Sequence, residues 1–154
     1  MATERWIAGS GVGFTWTSLM TTELNSIASG NAILGGTAVT NQTALDIFCD
    51  FSLVLASAVF VAPNFIGIYL YPLNDDASTY GDSRFTSSAA GPPPSNYAIG
   101  SIGIVVGTQA QTGTLTRVVM PPGTWKPVLY NGGGVALASS GNTLKYRTYN
   151  RAIA

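Results

Sequence analysis

Across residues 45–55 the chain alternates with a period of two. Leu45, Ile47, Cys49, Phe51, Leu53 and Leu55 fall on one side, and Asp46, Phe48, Asp50, Ser52 and Val54 on the other. Successive side chains of a strand point to opposite faces, so this pattern predicts a strand with one buried face. Residues 65–73 repeat it, with Ile66, Ile68 and Leu70 against Gly67, Tyr69 and Tyr71, until Asn74-Asp75-Asp76 breaks it. Further strands are predicted at 32–40, 97–106, 114–120, 125–130, 135–138 and 143–149. Pro121-Pro122-Gly123, Asn131-Gly132-Gly133-Gly134 and Ser140-Gly141-Asn142 separate the last four. One segment carries the helical period instead. Met20, Leu24, Ile27 and Ala28 share a face at i, i+4, i+7 and i+8, which predicts a short helix over 18–29, capped by Thr17 or Ser18 and ended by Gly30. Many short strands between Gly, Pro and Asn turns, with no βαβ alternation, give a mainly β fold: an antiparallel β-sandwich with one short N-terminal helix.

Residues 1–16 read as an arm preceding one sandwich domain over 17–154. Gly9, Gly11 and Gly13 loosen it, and Trp6, Ile7, Phe14 and Trp16 make it adhesive. Its Gly-Ser-Gly-Val-Gly run is no dinucleotide fingerprint, because no strand precedes it and the third glycine comes one place early. The start of the chain, with two charges and no apolar core after them, is unlike a secretory signal. The charge-free stretch 51–73 is long enough to span a bilayer, but Pro63-Asn64 interrupts it and acids flank it. It reads as two strands and a turn. Residues 74–96, with Pro92-Pro93-Pro94, form the longest irregular region. They read as a protruding contact loop, or as an insertion without a role.

Composition narrows the chemistry. Of the 154 residues 9% are charged, against about a quarter in an average domain, and histidine is absent. Seven acids balance seven bases, so there is no basic excess to neutralise phosphates, and nucleic acid is not an expected partner. A neutral surface lacks self-repulsion, which favours association. Without histidine no ordinary triad can be assembled, and Cys49, the one cysteine, lacks a base and reads as a small core residue. Asp46 and Asp50 form a carboxylate pair about 13 Å apart along a strand, which suits the solvent side of that strand better than catalysis. Asn74, Asp75, Asp76 and Asp82 offer the oxygen ligands calcium prefers, but the spacing is not that of an EF-hand and Asx residues stabilise turns on their own, so the cluster reads as a plain turn. No catalytic residue, metal or cofactor is assigned.

Two surfaces remain as binding candidates. Tyr69, Tyr71, Tyr80, Tyr97, Trp125, Tyr130, Tyr146 and Tyr149 either line a sugar-binding face or fill the core. Lys145, Arg147, Tyr149 and Arg151 share one face of the last strand, as a charged edge or as a docking strip. The contact residues expected for a partner are Arg5, Trp6, Ile7, Lys145, Arg147 and Arg151, with Trp6 as the anchor, since buried aromatics dominate interface energy.

Several segments together resemble small structural proteins of tailed bacteriophages. These are the run 44–51, Ala-Leu-Asp-Ile-Phe-Cys-Asp-Phe; 69–76 with Tyr80-Gly81-Asp82; 121–126, Pro-Pro-Gly-Thr-Trp-Lys; and 135–147. The resemblance runs from about Phe14 onward. It implies a jelly-roll-like sandwich and a non-enzymatic, oligomeric capsid decoration or cement protein. Such a protein is made in the host cytoplasm, sits on the virion exterior and bridges subunits of the major capsid protein or other virion proteins, away from membranes. The competing reading from the aromatic residues is a carbohydrate-binding sandwich of a tail or spike component that meets the host surface.

Overall fold

The computed structural model describes residues 4–9, 14–62, 64–82 and 84–153. Among these residues eleven strands form two antiparallel sheets. They are β1 (Glu4–Ala8), β2 (Thr17–Met20), β3 (Asn31–Leu34), β4 (Val39–Asn41), β5 (Phe48–Leu55), β6 (Phe65–Pro72), β7 (Ala89–Ala90), β8 (Ala98–Gly103), β9 (Gln111–Val119), β10 (Gly123–Gly132) and β11 (Thr143–Ile153). The first sheet runs β1-β11-β5-β9, with β2 pairing the other half of β11. The second runs β7-β3-β10-β6-β8, with β4 also on β10. From β8 onward every connection changes sheet, as in Greek-key and jelly-roll sandwiches.

The alternating sequence pattern builds the space between the sheets. Cys49, Phe51, Leu53 and Leu55 from the first sheet meet Ile66, Ile68, Leu70, Trp125 and Leu129 from the second, all buried. Trp125 is fully enclosed, 6.4 Å from the Phe51 ring. Burying such a side chain stabilises the fold by roughly 1.5–3 kcal/mol, so Phe51→Ala would cost about 3–5 kcal/mol.

Four expectations change. The helix over 18–29 is absent: 17–20 is strand β2, followed by a single 3-10 turn at Thr22–Leu24, and Ser26 has φ +58°. Met20, Leu24 and Ile27 are nonetheless buried, so the apolar spacing marked core contacts on a strand-and-turn path. The run 32–40 splits at Gly35, whose N–H donates to the Pro127 carbonyl at 2.8 Å and which packs against Pro127. Residues 135–138 form no strand, although Leu137 is buried and bonded to the Ile27 carbonyl. The loop after β6 folds back over the outer face of the second sheet. Phe85 and Pro93 are buried there, Tyr71 and Tyr97 pack at 4.6 Å, and β7 pairs with β3. Of the expected arm, 4–8 is strand β1, in register with β11 from Glu4↔Ile153 to Ala8↔Tyr149. Residues 1–3 and 10–13, with Gly11 and Gly13, lie outside the described residues, as does Pro63. No helix among the described residues is long and apolar enough to cross a membrane.

Candidate functional site

Strand β11 lies inside the first sheet, between β1 with β2 and β5, so its basic face is not a charged edge. Register places functional groups side by side on the outer face. Arg147 stands directly opposite Asp50, Tyr149 opposite Phe48, and Arg151 opposite Trp6. Directly opposed residues share a face, and diagonal neighbours are within reach of long side chains. Trp6 accordingly meets both Phe48 and Tyr149 edge-on, at 5.8 and 5.3 Å, while Phe48 and Tyr149 stack on each other at 5.8 Å. The indole stands upright on this stacked pair and stays 47% exposed.

A bulge completes the face. Between Cys49↔Val118 and Phe51↔Leu115 the register of β5 and β9 slips, leaving Thr116 and Arg117 across from Asp50. Arg117 has φ +58°, a left-handed conformation uncommon outside glycine, Asn and Asp. Bulges re-aim side chains, and they recur beside binding sites. The carboxylate of Asp50 holds this one in place. Its Oδ1 accepts from the Arg117 backbone N–H at 3.0 Å and from the Tyr149 hydroxyl at 2.8 Å. Its Oδ2 accepts from Arg147 Nε at 3.0 Å and Nη2 at 2.9 Å. Asp50 is only 3% exposed, so it meets the burial cost of a carboxylate with four donors, two of them from a cation. Burial, then the bond to Asp50, pushes the Tyr149 hydroxyl up to about 12, which keeps it a donor. The Arg147 guanidinium also lies 4.7 Å over Trp16, fixing its plane from the second side.

Two clefts flank Trp6. One, of about 340 Å³, is lined by Trp6, Phe14, Asp50, Thr116, Arg117, Arg147 and Tyr149. The other, of about 410 Å³, is lined by Arg5, Trp6, Phe48, Arg117 and Arg151. Both volumes lie in the range of small-ligand sites. Trp6 and Arg117 are common to both, with the guanidinium 5.9 Å from the indole centroid.

Of the expected contact residues, the structure brings Arg5, Trp6, Arg147 and Arg151 together around these clefts. Lys145 shares their face of β11, two cross-strand pairs beyond Arg147 and opposite Ser52, and lines neither cleft. Ile7 alternates to the other face from Trp6 and is half-buried. Of the expected aromatic face, Tyr149 lines the first cleft and the other residues line neither. Trp125 and Tyr71 are buried, Tyr146 packs against the main core, and Tyr69, Tyr80, Tyr97 and Tyr130 surround the small core under the folded-back loop. Phe14 belongs to the expected adhesive arm, whereas Phe48, Thr116 and Arg117 are not among the expected contacts. Their proximity depends on register and on the bulge, which periodicity does not encode.

The carboxylate pair also changes. Asp46 and Asp50 are both buried rather than on a solvent side. Asp46 accepts from Asn150 Nδ2 at 2.8 Å, and its backbone is clamped by the Asn41 side chain. In the acidic loop, Asp76 caps the N–H groups of Ser78 and Thr79 and binds the Thr79 hydroxyl, while Asn74 bonds Thr79 and Gly81. These bonds hold the Asp76 carboxyl down at about 2. No group of metal-ligating side chains occurs among the described residues.

No family model and no curated protein matches the chain. Among solved structures, the chain is similar to the CBM36-1 domain of a multidomain xylanase from the hindgut metagenome of Trinervitermes trinervoides. The TM-score is 0.40 and the identity 14%, over 99% of this chain and 97% of that one. It is also similar to a carbohydrate-binding module CBM36 in complex with calcium and xylotriose. There the TM-score is 0.40 and the identity 13%, over 91% of this chain and 99% of that one. At this level neither likeness bears on what this chain binds.

Proposed function

We propose that this chain is a non-catalytic binding domain that holds a saccharide ring in the cleft beside Trp6. The observation that carries the reading is an upright, half-exposed indole above a cleft of about 340 Å³, with the Arg147 guanidinium and the Arg117 backbone held by one buried carboxylate. A pyranose has an apolar C–H face that packs on an indole and hydroxyls that accept from guanidinium. The cleft supplies both from rigid strands, so little ordering entropy is lost on binding. The carboxylates offer no catalytic pair, because Asp50 is committed to four donors and Asp46 is enclosed with Asn41 and Asn150. A screen of oligosaccharides by affinity electrophoresis tests the reading. Retardation by at least one saccharide, lost in Trp6→Ala and retained in Tyr130→Phe, is the expected result. Equal migration of wild type and Trp6→Ala on every saccharide defeats it.

A second reading follows from a different surface. Val59, Val61, Val105 and Val106 are exposed beside the Phe60↔Gly107 bridge, an apolar tip on a chain without net charge. Such a tip suits burial against a neighbour, which supports a capsid decoration protein that bridges shell subunits. Co-sedimentation with capsid shells, abolished by Val59→Ser with Val105→Ser and indifferent to Trp6→Ala, would favour this reading over the first.

A further inference from the structure

The chain has five arginines and no net charge, yet four of the five line the two clefts around Trp6. Among the described side chains lining them, one carboxylate stands with these four cations. That carboxylate, Asp50, is buried and spent on Arg147, Tyr149 and the Arg117 backbone. Among the described residues Arg5 and Arg117 form no ion pair, and the second cleft is lined by Arg5, Arg117 and Arg151 beside Trp6 and Phe48. A protein this sparing with charge has concentrated cationic donors at one place. The protein also keeps Arg117 there in a left-handed conformation, which carries a conformational cost.

We infer that the ligand is an acidic saccharide: its ring lies against Trp6 in the first cleft and its anionic group is taken by Arg5 and Arg117 in the second. This rests on the saccharide reading and adds a charge requirement to it. Guanidinium pairs an anionic oxygen through charge-assisted, fork-shaped hydrogen bonds, and each such bond is worth more than one to a neutral hydroxyl. Trp6 separates the two clefts, so ring and charge are read on opposite sides of one side chain. A uronate carboxylate and a sulfate ester present the same chemistry here.

Isothermal titration of the whole chain decides it, with four probes at low and high salt. These are a tetragalacturonate, its carboxyl-reduced neutral counterpart, a sulfated oligosaccharide of similar length and a polyglutamate peptide. The expected result is that at least one anionic saccharide binds tenfold or more tightly than the neutral one, as about one charged hydrogen bond would give. The preference should fall with salt and disappear in Arg5→Gln with Arg117→Gln, while Trp6→Ala weakens every saccharide. Which anionic saccharide wins separates carboxylate from sulfate. Equal affinity for neutral and acidic probes, still dependent on Trp6, overturns the charge requirement and leaves the saccharide reading standing. Binding of polyglutamate alone overturns the saccharide reading itself. No binding of any probe overturns both.

Discussion

Replacing Asp50 by Asn tests how the site is built. The side chain keeps its volume and one acceptor oxygen, so Arg117 N–H and the Tyr149 hydroxyl retain a partner. The Oδ2 position becomes an NH₂ facing Arg147 Nε and Nη2, at distances of 3.0 and 2.9 Å in the wild type. Donors then oppose donors, and a guanidinium two-thirds enclosed loses its counter-charge. Breaking a buried pair this way costs about 3–5 kcal/mol, and the partial exposure of Arg147 argues for the lower end, about 3 kcal/mol. In urea, with a slope of about 2 kcal/mol per molar for a chain of this size, the midpoint should fall by about 1.5 M at unchanged slope. Adding Arg147→Met to Asp50→Asn should cost little more, because the pair is already broken. In Asp50→Ala, which removes the remaining acceptor oxygen too, amide exchange at Arg117 should accelerate by more than the change in global stability, since the bulge loses its anchor. A midpoint lowered by less than about 0.3 M in Asp50→Asn, with Arg117 exchange unaltered in Asp50→Ala, would refute the view that this carboxylate organises the face.

Other consequences are simpler to read. Trp6→Ala should leave the urea midpoint within about 0.5 M of wild type, because the indole is half-exposed on an edge strand, yet remove saccharide binding measured by titration. Burial pushes the Cys49 thiol up to about 12 from its ordinary value near 9, so a chromogenic disulfide reagent should react with the native protein only at the rate of unfolding. Tyr149 also has a raised folded value, about 12 against about 10 unfolded, so its contribution is complete below pH 10 and is lost as pH rises from 10 through 12. Tyr149→Phe should flatten that alkaline loss in a stability profile. Gly113→Val should destabilise by about 1–3 kcal/mol in denaturant titration, because a Cβ there would run into Ile102 where β9 faces β8.

The sheet architecture was legible because burial on one face leaves a period-two trace. The residues from Cys49 to Leu55, and Ile66 to Leu70, read correctly for that reason. Leu45 and Ile47 continued the trace in sequence but are exposed, since Leu45 has φ +48° and the strand begins only at Phe48. The helix failed because 3.6-residue spacing also arises when a strand and a turn each send one apolar group inward. On the site, Trp6, Arg147 and Arg151 could be named from their types and alternation. Arg117 could not, because its place depends on a one-residue slip between β5 and β9. Nor could the burial of Asp50, which a cross-strand arginine 97 positions away makes tolerable. Tyr69, Tyr71, Tyr80, Tyr97 and Tyr130, which suggested a platform, are claimed by the loop that folds over the second sheet, a long-range event with no local signature.

The most direct measurement follows the indole N–H signals of Trp6, Trp16 and Trp125 by two-dimensional nuclear magnetic resonance during titration with an acidic oligosaccharide. The three report the cleft wall, the ring under Arg147 and the buried core. The account predicts a saturable shift at Trp6, a smaller one at Trp16 and none at Trp125. Saturation with Trp6 unmoved, or no shift at any of the three, would contradict it.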